Sequence, residues 1–305
     1  MSEATNQTDE TRSGFVALMG PTNAGKSTLL NRLVGSKVAI VSHKVQTTRA
    51  LIRGIAMFDE TQVVFVDTPG LFTPKRRLDR AMVDTAWSGA KDAECVCFVI
   101  DARKGVSEIV EAALEQLAKV HQPKWLVLNK IDEMDQSELL PLIAALNEKL
   151  SFDQTFPVSA LTGEGCDALI QALRQTMRPG PWLYPEDQLS DVPMRMLAAE
   201  LTREKLYERL HEELPYVSHV VTEDWKTTAK GHRIEQIIYV ERDSQKKIVL
   251  GKGGQTIKWI SMNARKAIGE AVDAPVHLFL FVKVRPNWAS DPERYNEIGL
   301  DFPTK

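Results

Sequence analysis

Eight consecutive residues, Gly20-Pro21-Thr22-Asn23-Ala24-Gly25-Lys26-Ser27, carry the densest chemistry in the chain, with Thr28 directly behind them. They fit the pattern G-x-x-x-x-G-K-[ST]. Gly20 and Gly25 allow the backbone to turn closely around an anion. Successive N–H groups and the start of the following helix then face that anion. Lys26 supplies a cation for β- and γ-phosphates, and the Ser27 hydroxyl is a ligand for Mg²⁺. The chemistry implied is capture of a nucleoside di- or triphosphate with its magnesium ion.

Three later elements define which nucleotide. Asp67-Thr68-Pro69-Gly70 ends an apolar run. Its aspartate can hold Mg²⁺ through water, and the Gly70 N–H can meet a γ-phosphate. Asn129-Lys130-Ile131-Asp132 ends another. A carboxylate at Asp132 can accept hydrogen bonds from N1–H and N2–H₂ of guanine, a donor pair that adenine lacks. Lys130 can lay its stem on the base, and Asn129 can tie the base loop to the phosphate loop. Ser159-Ala160 ends a third run and offers a backbone N–H for guanine O6. The ligands expected are GTP and GDP with Mg²⁺, and the reaction expected is hydrolysis of GTP to GDP and phosphate.

Hydrolysis also needs residues that close on the γ-phosphate. The polar, β-branched stretch 36–50 has no helical period and contains Thr47 and Thr48. Either hydroxyl can reach Mg²⁺ in a loop that orders with GTP, and Thr48 is preferred. A second mobile segment is expected at 71–80. Many GTPases place a glutamine just after D-x-x-G to hold the attacking water. Here that residue is Leu71, beside Phe72, and neither can orient water. Asn23 offers a substitute, since its carbonyl can hold a monovalent cation such as K⁺ beside the phosphates. It can equally serve only to cap the loop, and spacing alone does not decide. The residues expected to act on the phosphates are Lys26, Thr48, Gly70 and Asn23.

These motifs sit at the ends of apolar runs that must be strands: 15–19, 51–58, 62–67, 95–101, 124–129 and 155–160. Helical patterns at 26–35, 79–91, 107–120, 136–150 and 165–177 alternate with them. That alternation predicts an α/β domain with a mostly parallel sheet and helices on both faces. Only a short turn separates 51–58 from 62–67, so one edge strand should run antiparallel. Four prolines lie in residues 179–193, too many for a helix or central strand, and predict a stiff linker. The expected division is a tail at 1–13, a nucleotide domain at 14–178, the linker at 179–193, a second domain at 194–288 and a C-terminal tail at 289–305.

Composition agrees with a soluble two-domain protein: 305 residues, 43% apolar and 26% charged, with a net charge of −3. No apolar run approaches the ~18–20 residues of a membrane span. The N-terminal residues lack an apolar core and read as a tail rather than a signal peptide. Cys95, Cys97 and Cys166 suit a reducing cytoplasm. Cys95 and Cys97 lie in one apolar run without a second pair and read as buried strand thiols.

The second domain follows a different grammar. Its order is helix, two strands, two helices and a final strand at 276–285, an α+β arrangement. Gly251-Lys252-Gly253-Gly254 is a G-x-x-G loop after the apolar Ile248-Val249-Leu250 and before an amphipathic helix. In KH domains such a loop clamps single-stranded nucleic acid by its backbone. From Arg242 to Arg285 nine bases face three acids, a net +6 inside a chain of −3. A confined basic field indicates a polyanion site. The residues expected to meet it are Ile248, Gly251, Lys252, Gly253, Gly254, Lys258, Arg265, Lys283 and Arg285. Trp225, Trp259 and Trp288 can stack bases, but at least two are expected in packing roles. His219 and His277 lie in apolar strands and read as structural.

From Phe15 to about Trp288 the chain resembles the Era family of bacterial GTPases. The resemblance rests on GPTNAGKS, the QTTR at 46–49, DTPG, NKID, VSA and the segment ending HLFLFVKVRPNW. It implies a type II KH fold and a role in biogenesis of the 30S small ribosomal subunit, with the KH domain holding the 3′ end of 16S rRNA. It further implies a monomer in the cytoplasm with some peripheral contact at the inner membrane. It places Leu71 with the GTPases that carry an apolar residue instead of the glutamine, and Asn23 with their potassium-associated asparagine. Thr22 departs from the proline that members often carry. The rival readings are a GTPase of translation or cell-cycle signalling, and an RNA-binding protein that uses GTP as a structural ligand.

Overall fold

The computed structural model describes residues 11–302 apart from 45, 75, 213, 287, 289–291, 293–294, 296–299 and 301. The expected tails at 1–13 and 289–305 therefore lie largely outside the described residues. The chain divides into two units that are not contiguous in sequence. The first comprises residues 1–38, 50–73 and 83–191, and the second 39–49, 74–82 and 192–305.

In chain order the elements of the first half are β1 (Arg12–Met19), α1 (Lys26–Val34), β2 (Ile52–Phe58), β3 (Thr61–Asp67), α2 (Arg77–Ser88), β4 (Cys95–Asp101), α3 (Glu108–Leu117), β5 (Lys124–Asn129), α4 (Leu139–Lys149), β6 (Gln154–Val158), α5 (Cys166–Thr176) and the two-residue β7 (Arg178–Pro179). The sheet order is β2-β3-β1-β4-β5-β6. All neighbours pair in parallel except β2 with β3, the expected hairpin. β3 and β4 are buried at every residue, as their unbroken apolar runs require of strands covered on both faces. Ala17, Met19, Val96, Phe98, Leu126 and Leu128 pack with Ala86 of α2, Leu114 of α3 and Leu146 of α4. The alternate residues point to the opposite face, where α1 and α5 contact the sheet. Cys95 and Cys97 are buried in β4, whereas Cys166 opens α5.

The proline-rich stretch does not behave as a separate spacer. β7 pairs with Arg12 and Ser13 of β1, the part of that edge left open because β4 joins only at Val16. The Leu183 and Tyr184 N–H groups donate to Gln62 Oε1 at 2.8 and 2.9 Å. Ile55 N–H donates to the Leu189 carbonyl at 2.9 Å, and Arg53 pairs with Asp191 at 2.8 Å. β2 is an edge strand with open backbone groups, and this irregular segment satisfies them through residue 191.

The second unit has α6 (Met194–Arg209), β8 (His219–Thr228), β9 (Gly231–Val240), α7 (Asp243–Leu250), α8 (Gln255–Val272) and β10 (Val276–Val284). β9 is central, antiparallel to β8 and parallel to β10. The helices cover one sheet face. Leu206, Ile238, Val249, Ile260 and Val282 form one cluster there, and Ala198, Leu201, Ile234, Ile268 and Val276 another.

Residues 39–49 are built into this unit. Ile40 joins the cluster of Ala198 and Leu201. The Lys44 ammonium donates to the carbonyls of Tyr207 and Leu210 at the end of α6. Arg49 is buried and donates to the Ser218 carbonyl at 3.1 Å and the Tyr216 carbonyl at 3.0 Å. Burial lowers the guanidinium's proton affinity, and Tyr207 and Glu200 partly offset that.

Candidate nucleotide and nucleic-acid sites

The phosphate loop joins β1 to α1 and owes its path to its glycines. Gly20 has φ +143°, and a β-carbon there would lie 2.0 Å from the Val99 carbonyl oxygen. Lys26 is the first residue of α1, and its ammonium donates to the carbonyls of Gly20 at 3.0 Å and Pro21 at 2.9 Å. The side chain lies across the loop at the position an anion would neutralise. Burial lowers the Lys26 pKa to about 8, against a smaller opposing pull from Asp67. A buried cation on a loop of donors is a site prepared for negative charge.

Ser27 Oγ donates to Asp67 Oδ2 at 2.6 Å. A hydroxyl and a buried carboxylate side by side are oxygen donors of the kind a hard divalent cation takes, and they fit Mg²⁺. Asp67, Thr68, Pro69 and Gly70 are all buried. A β-carbon on Gly70 would meet Thr22 Cγ2 at 2.6 Å, so glycine is needed for this close approach to the phosphate loop. Leu71 N–H donates to the Gly20 carbonyl at 3.0 Å. The Leu71 side chain is 4% exposed and packs in the core with Ala17 and Met19. Position 71 thus aims its side chain at the interior.

Asn129 is the junction of the base side. Its Nδ2 donates to the Ala24 carbonyl at 2.8 Å. Its Oδ1 accepts from the N–H groups of Lys130 at 2.8 Å and Ala160 at 2.9 Å. One buried amide therefore joins the phosphate loop, the 129–132 turn and the 159–160 turn. Lys130, in the left-handed region at φ 69°, donates to the Asn23 carbonyl at 2.8 Å and pairs with Asp101 at 2.9 Å. Asn23 is itself left-handed, at φ 61°. Ile131 and Asp132 lie in a short 3₁₀ turn, where Asp132 is exposed.

The 159–160 turn differs in one detail from the expectation. Ser159 N–H donates to the Glu164 carbonyl at 2.8 Å, and Ala160 N–H is the one held by Asn129. The N–H groups of both residues expected to offer a donor to guanine O6 are thus engaged within the turn in this structure. Thr28 continues α1, half-buried.

Two residues of this site had escaped the sequence reading. Asp101, at the end of β4, holds Lys130 and Arg103 together. Burial opposes its charge, but hydrogen bonds from Arg103 and Lys130 outweigh that and bring its pKa to about 2. Arg32 supports the other side, its Nε donating to the Ala160 carbonyl at 3.2 Å. The strand-end position of Asp101, shared with Asp67 and Asn129, was the available signal; Arg32 left none. Thr47 and Thr48 fall in the second unit. Thr47 Oγ1 donates to the Lys44 carbonyl at 2.8 Å, and Thr48 is buried.

In the second unit Gly251, Gly253 and Gly254 have φ of 75°, 59° and 76°. A β-carbon on Gly251 would lie 2.3 Å from Thr256 Oγ1, whereas Gly253 and Gly254 face open space. Lys252 is exposed at the tip. Beside the loop is a cavity of about 630 Å³ lined by Arg209, His211, Arg242, Gln245, Ile248 and Thr256, among others. Ile248 is 58% exposed there. Lys258 and Arg265 stand on the exposed side of α8. Lys283 is on the outer face of β10, the face opposite the helices, and so shares no surface with the loop. Arg285 follows that strand and is half-buried, its N–H donating to the Val240 carbonyl. His219 is buried and stacked on Trp288, as a structural histidine should be; His277 is exposed on the outer face of β10, because the strand alternation carries it there. Trp288 is 2% exposed, and Trp225 and Trp259 pack partly buried against the two core clusters.

Comparison with known proteins gives two family matches, a 50S ribosome-binding GTPase family over residues 15–130 and the KH domain family over residues 213–289. The chain is 65% identical over 294 residues to GTPase Era of Rhizobium meliloti (strain 1021), covering 96% of this chain and 94% of that protein. It is 63% identical over 294 residues to GTPase Era of Agrobacterium fabrum, covering 96% and 93%. Among solved structures it is similar to Era in complex with MgGDPNP and nucleotides 1506–1542 of 16S ribosomal RNA. That likeness has TM-score 0.90 at 36% identity, over 95% of this chain and 99% of the other.

Proposed function

The chain belongs to the Era family of GTPases, and on that premise we propose that it is a GTP-hydrolysing switch that binds 16S rRNA near its 3′ end and assists assembly of the 30S subunit. The observation that carries the nucleotide half is the Asn129 junction, which holds the phosphate and base loops in one geometry. The observation that carries the RNA half is the G-x-x-G loop beside its lined cavity.

In this reading Lys26 neutralises the β- and γ-phosphates, and the backbone N–H groups of residues 20–28, Pro21 having none, donate to their oxygens. Ser27 and Asp67 would hold Mg²⁺, and Thr48 would be the further oxygen donor when GTP is bound. The ion, when bound, draws charge from the bridging oxygens. Gly70 N–H meets the γ-phosphate. Asp132 selects guanine, Lys130 covers the base and Asp101 holds Lys130 in place. Leu71 is turned into the core, so water positioning falls to other groups, with Asn23 offering its side-chain carbonyl to K⁺. Lys252 and the loop glycines clamp the RNA backbone, with Ile248, Lys258 and Arg265 alongside.

No helix among the described residues is long and apolar enough to cross a membrane. We read the protein as a cytoplasmic monomer with peripheral contact at the inner membrane, a reading that membership of the Era family supports. The test is GTP turnover with and without an RNA of the 16S 3′-end sequence. Turnover stimulated by that RNA, and RNA affinity that differs between GTP and GDP, support the switch. RNA binding indifferent to nucleotide, with no turnover, would make GTP a structural ligand only.

A further inference from the structure

The outer face of the second unit's sheet carries an aromatic pair that the G-x-x-G site does not use. Along β10, Val276, Leu278, Leu280, Val282 and Val284 turn toward the helices. His277, Phe279, Phe281 and Lys283 are exposed on the other side. Phe279 is 44% exposed and Phe281 49%. The guanidinium of Arg233, on the neighbouring strand β9, lies 4.8 Å from the Phe279 ring centre. Lys283 makes no ion pair among the described residues and stands two positions beyond Phe281.

We propose that this face is a second single-stranded RNA site, on which Phe279 and Phe281 stack successive bases and Lys283 meets a flanking phosphate. Residues two apart on a strand are rooted about 6.6 Å from each other, so each ring can receive its own base from a splayed strand. The alternation of Phe279 and Phe281 matches that of the two strand aromatics that stack bases in RNP1, although this strand lacks that motif's basic residue, its glycine and its final aromatic. A protein partner is less well matched. Ile237 and Tyr239, which lie across from Phe281 and Lys283 in register, are already buried, so the apolar surface is only two rings wide. Arg233 pairs with Glu235 and, at 3.8 Å, with Asp224, which also pairs with Lys226 at 3.2 Å. These two acids and two bases balance, and Lys283 adds the surplus positive charge that suits a phosphate.

The inference rests on reading the second unit as an RNA binder, but not on the G-x-x-G loop. The test therefore uses the full chain in four forms: wild type, Phe279→Ala/Phe281→Ala, Phe279→Tyr/Phe281→Tyr, and Lys252→Asp/Gly253→Asp. The probe is a 20-nucleotide single-stranded RNA carrying 5-iodouridine, with affinity and photocrosslinked residues both read. The expected result is adducts at Phe279 and Phe281 in the wild type that persist in the loop variant. The alanine pair should weaken binding of the 20-mer about tenfold or more and leave a 6-nucleotide RNA bound as before. The tyrosine pair should retain wild-type affinity. Absence of adducts on β10, with an alanine pair that binds the 20-mer normally, overturns the proposal while leaving the loop site standing. Dimerisation of the RNA-free wild type that the alanine pair abolishes would assign the face to protein and overturn it too.

Discussion

A β-carbon added to Gly25 would lie 2.2 Å from Nδ2 of Asn129. The last glycine of the phosphate loop and the first residue of the guanine element are thus fitted against each other, with the same Asn129 nitrogen donating to the neighbouring Ala24 carbonyl. Gly25→Ala should force the two loops apart, compounded by its φ of +94°. Asn129→Ala should remove three hydrogen bonds, costing about 2–4 kcal/mol at roughly 1 kcal/mol each. Urea unfolding and GTP titration check both. Undiminished nucleotide affinity in Asn129→Ala would show that the junction is not needed to hold the site.

Lys26 predicts a pH dependence with a defined sign. Its folded pKa of about 8 lies below the usual 10.5, so between those values the unfolded chain binds more protons. Stability of the nucleotide-free protein should therefore rise as pH increases through that window. Nucleotide affinity should move the other way, because the phosphates need the ammonium. The GDP dissociation constant should increase above about pH 8, by up to about tenfold per pH unit. Lys26→Arg should flatten that dependence. A constant affinity from pH 7 to 9 in the wild type would contradict it.

Leu71→Gln should not create a faster GTPase. The side chain is buried, so a glutamine there strands an amide in the core and costs about 1–3 kcal/mol. Stability should fall, and turnover should stay at or below wild type. Turnover should instead respond to the monovalent cation, faster in KCl than in NaCl at equal ionic strength, and Asn23→Ala should erase the difference. Equal rates in the two salts would remove the potassium role.

Asp132→Asn exchanges the acceptor pair for an amide. Preference should shift from guanine toward xanthine nucleotides by tenfold or more, because the amide suits the oxygen that replaces the exocyclic amine. Competition among GTP, XTP and ATP measures this. Asp132 is exposed, so the fold should not change.

The glycines of the second unit separate fold from function. Lys252→Asp/Gly253→Asp should abolish binding in the G-x-x-G groove and leave GTP affinity intact, with stability lowered by about 1–2 kcal/mol: a β-carbon on Gly253 meets nothing within 4 Å, but its φ of +59° is left-handed. Gly251→Ala should lose both RNA affinity and stability, because of its clash with Thr256 Oγ1. The salt dependence of wild-type binding should have a slope of about −0.7 per phosphate contacted. A slope unchanged by the double substitution would mean that the loop contacts no phosphate.

Local chemistry was legible in the residues themselves. The phosphate loop, Asp67, Asn129 and the G-x-x-G turn are backbone devices whose glycines and strand-end positions mark them within a few residues. The strands at 62–67 and 95–101 announced themselves as unbroken apolar runs, and their burial follows from them. What the linear order left open depended on contacts between distant segments. Residues 39–49 have no periodicity, and only packing reveals that Ile40, Lys44 and Arg49 belong to the second unit. Alternation said that Lys283 shares a face with Phe281, but not that the helices lie on the other one. Asp101 acquires its role only because β4 and β5 are neighbours, which brings its carboxylate to Lys130. Period and turn chemistry are set by adjacent residues, so a sequence carries them openly; the side of a sheet that stays wet, and the unit to which a loop belongs, are settled by which apolar surfaces bury one another.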